Sequence, residues 1–146
     1  MTTAVTRPYT VTADHTPAPD AYTATVYMNT DRDNYDGYEP HHPLAAATRT
    51  DGSPLRLVFH ASDRITDHEA AADAAYTVGN RQGADDNGQR WPTDIRSVSI
   101  GDVIKVTGPD HWIIHLSVDS FGCFSAVPEP TTLITLAGKT RVTRRR

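Results

Sequence analysis

The chain has 146 residues, of which 38% are hydrophobic, and it carries a formal net charge of −4. This length suits one domain with a modest core and is too short for two comfortable ones. The longest apolar runs fall far short of the roughly 20 residues that a membrane-spanning helix needs. Residues 1–8 lack the basic start and apolar middle of a secretory signal. We therefore predict one domain that lies in the cytoplasm and does not enter a membrane.

Both ends of the chain differ in composition from the middle. Residues 1–20 are rich in Thr, Ala and Pro and are predicted to be a flexible leader, because they offer little apolar surface to bury. A single domain is predicted over residues 21–137, followed by a basic tail over residues 138–146. Five of the fourteen positively charged residues lie in this tail: Lys139, Arg141, Arg144, Arg145 and Arg146. Without them the net charge would be −9, so the body of the protein is acidic.

The first half of the domain begins with a strand and continues into a long polar segment. Apolar residues recur at every second position from Tyr22 to Met28, which predicts a half-buried strand. Residues 29–54 are rich in Asp, Asn, Gly and Pro and are predicted to form an irregular loop. A further strand is predicted over residues 55–60, which alternate in the same way.

One helix is predicted, over residues 66–78. Thr66 and Glu69 have the spacing of a capping box, in which the hydroxyl and the carboxylate bond the first unpaired backbone N–H groups. Five alanines lie between residues 70 and 75, and alanine is the best helix former. Gly79 or Asn80 is predicted to end the helix.

The run RSVSIGDVIKV, residues 96–106, is predicted to be one kinked strand whose even-numbered apolar residues face the core. Gly101 and Asp102 lie in its middle and are predicted to form a structural corner. Glycine would permit the bend, and the aspartate would accept backbone N–H groups. Residues 111–118 are predicted to be the hairpin partner, with Trp112, Ile114, Leu116 and Val118 on one face.

Together these elements predict an α+β fold. We expect a small, strongly bent antiparallel sheet of about five strands, with the single helix packed on one face. A peripheral strand is predicted over residues 131–136, before the basic tail.

Few residues are candidates for catalysis or metal binding. His41 and His42 are candidates for a metal site together with Asp36 or Glu39, although adjacent histidines in a proline-flanked loop are typical of exposed, unliganded side chains. The single cysteine, Cys123, is predicted to be buried and inert, because no neighbour in the sequence would lower its pKa. No P-loop, CxxC pair, HExxH or GxSxG motif is present, so no cofactor is predicted.

Four aromatic residues are candidates for binding a partner, because Tyr and Trp are favoured at recognition surfaces. They lie on the predicted strand edge and in the loops: Tyr27, Tyr35, Tyr38 and Trp91. Each would alternatively cap the small core, and both interpretations stay open at this point.

Several of these motifs, taken in order, resemble those of a known group of proteins. They are VYMNTDRDNYDGYEPHHPL, LRLVFH, an alanine-rich helix ending in VGNR, and RSVSIGDVIKV. They resemble a family of small uncharacterised actinobacterial proteins with a VYxN…GY…LxxVF…RSLSVGDVV layout. The last motif, followed by SVDSFGCFSAV, is also similar to the YodL-like domain of mobile elements. The resemblance covers about residues 22–127 and implies a small α+β domain from an actinobacterial host, plasmid or phage, with no implied reaction.

The leading hypothesis is a non-enzymatic accessory protein that binds a macromolecule, with a protein as the expected partner. The interaction would use residues 29–54 and their tyrosines. The alternative is a nucleic-acid-associated regulator or anti-defence factor that uses the basic tail, because clustered Lys and Arg residues bind phosphates with release of counterions. A hydrolytic enzyme, metal-assisted through His41 and His42, is the third hypothesis.

Overall fold

The computed structural model describes residues 20–31 and 36–134 of the chain. These residues form one helix and one mixed sheet of seven strands, which confirms the predicted α+β fold with a helix packed on a sheet. The sheet has seven strands rather than about five, and one pair is parallel rather than antiparallel. In chain order the elements are β1 (Ala21–Asn29), β2 (Leu44–Ala46), β3 (Leu57–His60), α1 (His68–Gly79), β4 (Val103–Thr107), β5 (Ile113–Val118), β6 (Phe124–Val127) and β7 (Leu133–Ile134).

The long strand β1 organises the sheet. Along one edge it pairs with β4, and along the other it pairs first with β3 and then with β2. The strand order is β6-β5-β4-β1-β2-β7, so β6 and β7 lie at opposite ends of the sheet. Residues 128–132 join these two strands and therefore run from one end of the sheet to the other. We call residues 128–132 the strap.

The main core lies between the sheet and α1. The predicted alternation in β1 is confirmed, because Ala24, Val26 and Met28 all face this core. The helix contributes mostly alanines, whose small side chains let it lie close to the strands. The core cluster is completed by residues of the other strands and of the connecting loops, among them Leu57, Trp91, Val98, Ile104, Val106, Leu116 and Val118.

The helix begins one residue later than a Thr66 cap would place it. Its N-cap is Asp67, whose carboxylate accepts the N–H of Ala70 at 2.8 Å. The carbonyl of Thr66 instead accepts the hydroxyl of Tyr22 at 3.2 Å. The predicted capping box is therefore wrong, because the aspartate next to the threonine offers a charged acceptor to the positive end of the helix. The helix ends at Gly79.

Three local predictions from the second half of the chain are also wrong. Within the RSVSIGDVIKV run, only the part that lies in β4 (Val103–Thr107) is a strand, because Gly101 has a φ of 94°, which interrupts regular extended backbone. Trp112 does not belong to the strand predicted over residues 111–118 and is 64% exposed, since β5 begins after it. Cys123 is exposed, because it lies in the turn that precedes β6.

Candidate functional site

The carboxylate of Asp102 lies at the bend between the irregular residues 96–102 and β4, and it is completely buried. Its Oδ1 accepts the backbone N–H of Asn29 at 2.7 Å and Nη2 of Arg96 at 2.8 Å. Its Oδ2 accepts the backbone N–H of Ser99 at 2.9 Å and Nη1 of Arg96 at 2.9 Å. Each oxygen thus already accepts two hydrogen bonds, so this carboxylate is satisfied by the protein itself and has a structural role.

This bend, residues 96–102, is the Asp102 corner. It also fixes the beginning of the polar loop, residues 29–54. Arg96 Nη2 also donates to the carbonyl of Asn29 at 2.9 Å. The side-chain amide of Asn29 donates to the carbonyl of Gly101 at 2.9 Å and bonds Nδ1 of His42 at 3.0 Å. His42 is therefore held against the corner, and its side chain is buried.

Asp31, His41 and His42 form the one group of possible metal ligands among the described residues, and their ligand atoms lie within 4.8 Å of one another. The predicted carboxylates, Asp36 and Glu39, are not in this group. The backbone N–H of Glu39 donates to Nδ1 of His42 at 3.0 Å. A backbone N–H can only donate, so a neutral His42 carries its own proton on Nε2. A metal-bound histidine instead donates from the nitrogen that the metal leaves free, so this hydrogen-bonded arrangement does not fit a metal ion.

The four aromatic candidates have different surroundings. Trp91 is only 4% exposed, and its indole N–H donates to the carbonyl of Arg96 at 2.8 Å. It is a core residue, which agrees with the alternative interpretation that this side chain caps the core. Tyr38 is half-buried with its ring edge-to-face against His42. Tyr27 is half-buried on the sheet face opposite α1, and Tyr35 lies outside the described residues.

The sheet face that carries Tyr27, which we call the second face, is lined by polar as well as apolar residues. In register across four strands, Thr25 pairs with Lys105, Lys105 with His115, and His115 with Val127. The Tyr27 and His115 rings are stacked, with centroids 6.4 Å apart and planes 16° from parallel. The second face therefore combines aromatic rings with a cation.

The strap is fixed to the polar loop at its far end. The hydroxyl of Thr132 donates to the carbonyl of His42 at 2.5 Å, and the N–H of Leu44 donates to the carbonyl of Thr132 at 3.1 Å. Pro130, in the middle of the strap, is buried. The strap, the loop and the Asp102 corner are thus connected to one another by hydrogen bonds.

A concavity of about 320 Å³ opens beside the beginning of the strap. We call it the β5–β6 cleft. Its lining residues come from β4, β5, β6 and the strap, and they are Lys105, Ile113, Ile114, His115, Val127 and Glu129. The cleft therefore offers one cation, one carboxylate, one imidazole and an apolar wall. Its volume lies at the lower end of the range of roughly 300–1,000 Å³ that is typical of ligand pockets.

The surroundings of the two rings beside the cleft shift the pKa of each ring in the direction that favours its neutral form. Burial lowers the pKa of His115, the positive charge of Lys105 lowers it further, and Glu129 acts in the opposite direction. Burial also raises the pKa of Tyr27, and Glu129 adds to this effect while Arg56 opposes it. Perturbed titratable groups at a concave surface are a general indication of a functional site. With a neutral imidazole and a neutral phenol, this site is equipped for hydrogen bonding and ring contacts with a ligand.

Comparison of the chain with protein-family models, with curated proteins and with solved structures found no match. The resemblance to the actinobacterial family and to the YodL-like domain thus stays an expectation from the motifs. The tail residues Lys139, Arg141, Arg144, Arg145 and Arg146 lie outside the described residues. Within the described ranges, none of the protein's helical structure is long and apolar enough to cross a membrane.

Reasoning from the sequence did not find the β5–β6 cleft. Lys105 interrupts the apolar run of β4, and His115 lies on the polar side of the alternation in β5. The alternation of the two strands could therefore have placed both side chains on the same face of the sheet. Glu129 gives no such signal, because it follows Pro128 outside any regular element. Its position depends on the course of the strap, which only the folded chain shows.

Proposed function

We propose that this protein binds a protein partner through the β5–β6 cleft and the adjoining surface around Tyr27 and Tyr38. The observation that carries the proposal is the composition of the cleft. Ile113, which is 48% exposed, lies beside the charged groups of Lys105 and Glu129. Protein-binding sites combine an apolar anchor with a few polar groups that set orientation, and this cleft has both.

The surroundings of the cleft favour binding because they are already ordered. The polar loop is attached to the Asp102 corner through Asn29, and to the strap through the bonds of Thr132 to the loop. A surface that is rigid before binding loses less conformational entropy when the partner docks. This rigidity supports a recognition role for the loop segment that carries Tyr38, as well as for the cleft.

A matched pair of variants tests the role of the cleft. The full chain is immobilised and used to select binders from a phage-displayed library of random peptides, and the tightest peptide is measured in solution. Ile113→Asp is expected to weaken binding at least tenfold, because it places a charge on the apolar wall of the cleft. Ile134→Asp is the control, since Ile134 is similarly exposed at 42% but lies in β7, away from the cleft.

Circular dichroism of both variants checks that they remain folded. Equal affinities of the wild type and Ile113→Asp for every selected peptide would contradict the proposed function. A library that yields no peptide against the full chain would also contradict it.

A second candidate function rests on the uneven distribution of charge in the sequence. The last eight residues carry five positive charges, whereas the rest of the chain is acidic. If these residues bind nucleic acid, deletion of residues 139–146 is expected to abolish salt-sensitive binding to duplex DNA. The measurement is the slope of log K against log salt concentration, which reflects the number of neutralised phosphates. A slope that the deletion leaves unchanged would contradict this function.

A further inference from the structure

Strand β6 presents an unpaired edge in the part of the chain that the structure describes. It pairs with β5 on one side and ends the strand order of the sheet on the other. Its sequence, FSAV, contains none of the charged or proline residues that commonly protect the edges of sheets. Proline follows directly after the strand, at position 128.

The outer edge of β3 shows how this protein protects an edge elsewhere. The carboxylate of Asp85 accepts the N–H of Val58 at 2.9 Å, and that of Asp86 accepts the N–H of His60 at 2.7 Å. The N–H of Asp86 also donates to the carbonyl of Val58 at 3.0 Å. The loop that carries these aspartates thus satisfies the outward backbone groups of Val58 and His60 in β3. The edge of β6 has no such cover among the described residues.

The register identifies which backbone groups of β6 point outward. The N–H of Asp119 donates to the carbonyl of Cys123 at 2.8 Å, in line with the register of β5 and β6. Hydrogen-bonded and non-hydrogen-bonded pairs alternate in an antiparallel ladder. Ser125 and Val127 therefore bond β5, whereas the N–H and carbonyl groups of Phe124 and Ala126 point away from it.

The β5–β6 cleft lies on the face of the sheet that a strand added to β6 would extend. Val127 pairs with His115, and both residues line the cleft. Side chains alternate between the two faces of a strand, so every second residue of an added strand would lie on the cleft side. The open edge and the cleft are thus placed for one extended ligand.

We propose that an extended segment of a partner protein adds to β6 as a further strand and inserts a large apolar side chain between Ile113 and Val127. The proposal rests on the proposed function and specifies the conformation and chemistry of the ligand. Main-chain hydrogen bonds to Phe124 and Ala126 supply affinity, and the cleft selects the side chain, as in other cases of strand addition. Lys105 and Glu129 bind polar groups at the rim of the cleft.

A second copy of the same chain fits this site less well. On the cleft side, β6 carries only Ser125 and Val127, and neither side chain is long enough to fill a cavity of about 320 Å³ in a facing copy. Two four-residue strands paired edge to edge would also bury far less than the roughly 1,200–2,000 Å² of a stable interface. A partner segment with a bulky apolar residue satisfies both the edge and the cleft.

The test uses one substitution in β6 and one modification of the peptide. Ala126→Pro removes an outward N–H without breaking a bond to β5. This substitution is expected to lower the affinity of the chain for the selected peptide at least tenfold. Ala126→Val keeps that N–H, and the affinity of this variant for the selected peptide is expected to lie within threefold of the wild-type affinity. The peptide is then N-methylated at one residue at a time and measured against the wild-type chain. Strand addition predicts that methylation weakens binding at every second residue, because alternate N–H groups face β6.

The outcomes separate this inference from the proposed function. If Ile113→Asp weakens binding but N-methylation has no alternating effect, strand addition is overturned and the cleft function stands. If neither Ile113→Asp nor N-methylation of the peptide changes binding, strand addition and the proposed function of the cleft are both overturned. Sedimentation of the full chain as a dimer that Ala126→Pro dissociates would assign the edge to a second copy and overturn the partner segment. The N-methylation series needs no substitution in the protein, so a variant that fails to fold does not prevent the test.

Discussion

The substitution Asp102→Asn is expected to lower the free energy of unfolding by about 3–5 kcal/mol, the range for breaking a buried ion pair. The wild-type carboxylate accepts four hydrogen bonds, two of them from Arg96. An asparagine offers only one oxygen, and its NH₂ group would face N–H donors. The guanidinium of Arg96 would also lose its charged partner. Urea denaturation followed by the fluorescence of the buried Trp91 measures the change.

Asp51→Asn is the control for this prediction. Asp51 also accepts hydrogen bonds, from the N–H and hydroxyl of Ser53, but its side chain is exposed. Water can replace these bonds, so the control should change stability far less than Asp102→Asn does. Similar effects of the two substitutions would show that the corner does not stabilise the fold as described.

The substitution Gly79→Ala is expected to destabilise the protein by about 1–3 kcal/mol, the range for overpacking a core. A Cβ atom at this position would overlap Cγ2 of Val98, and Val98 is buried in the core. Helix propensity alone predicts the opposite sign, because alanine is favoured over glycine by about 1 kcal/mol in a helix interior. The steric effect dominates here, since the N–H of Val98 bonds the carbonyl of Gly79 at 3.1 Å and holds the two segments together.

A second substitution distinguishes steric overlap from other causes. Val98→Ala removes the methyl groups that the new Cβ would meet, so the double variant should be more stable than the sum of the two single effects predicts. Thermal and urea unfolding of the four proteins give this coupling. An increase in stability on Gly79→Ala alone would contradict the close packing of α1 against Val98.

The parts of the fold that local patterns determine could be predicted from the sequence. The alternation in β1 placed Ala24, Val26 and Met28 on the core side, and the alanine-rich segment indicated the only α-helix in the described residues. The parallel pair of β2 and β7 joins residues about 90 positions apart, and no local pattern carries that information. The burial of Trp91 has a similar cause, because it depends on how its loop folds over the end of α1.

The candidate site was harder to predict than the fold. The glycine and aspartate of the corner were evident in the sequence, but the partners of Asp102 include Asn29, which is 73 residues away. Of the aromatic candidates, Tyr27 lies next to the cleft, and Trp91 is in the core. The cleft itself needs the strap to bring Glu129 to the second face, and a strap without regular structure has no periodicity to detect.

Amide hydrogen exchange of the full chain, measured by NMR with and without a selected peptide, tests the central claim most directly. Strand addition predicts that the amides of Phe124 and Ala126 exchange rapidly in the free protein and become protected in the complex. The amides of Ser125 and Val127 already bond β5 and should change much less. Bound peptide with no added protection at Phe124 and Ala126 would contradict recognition at the β6 edge.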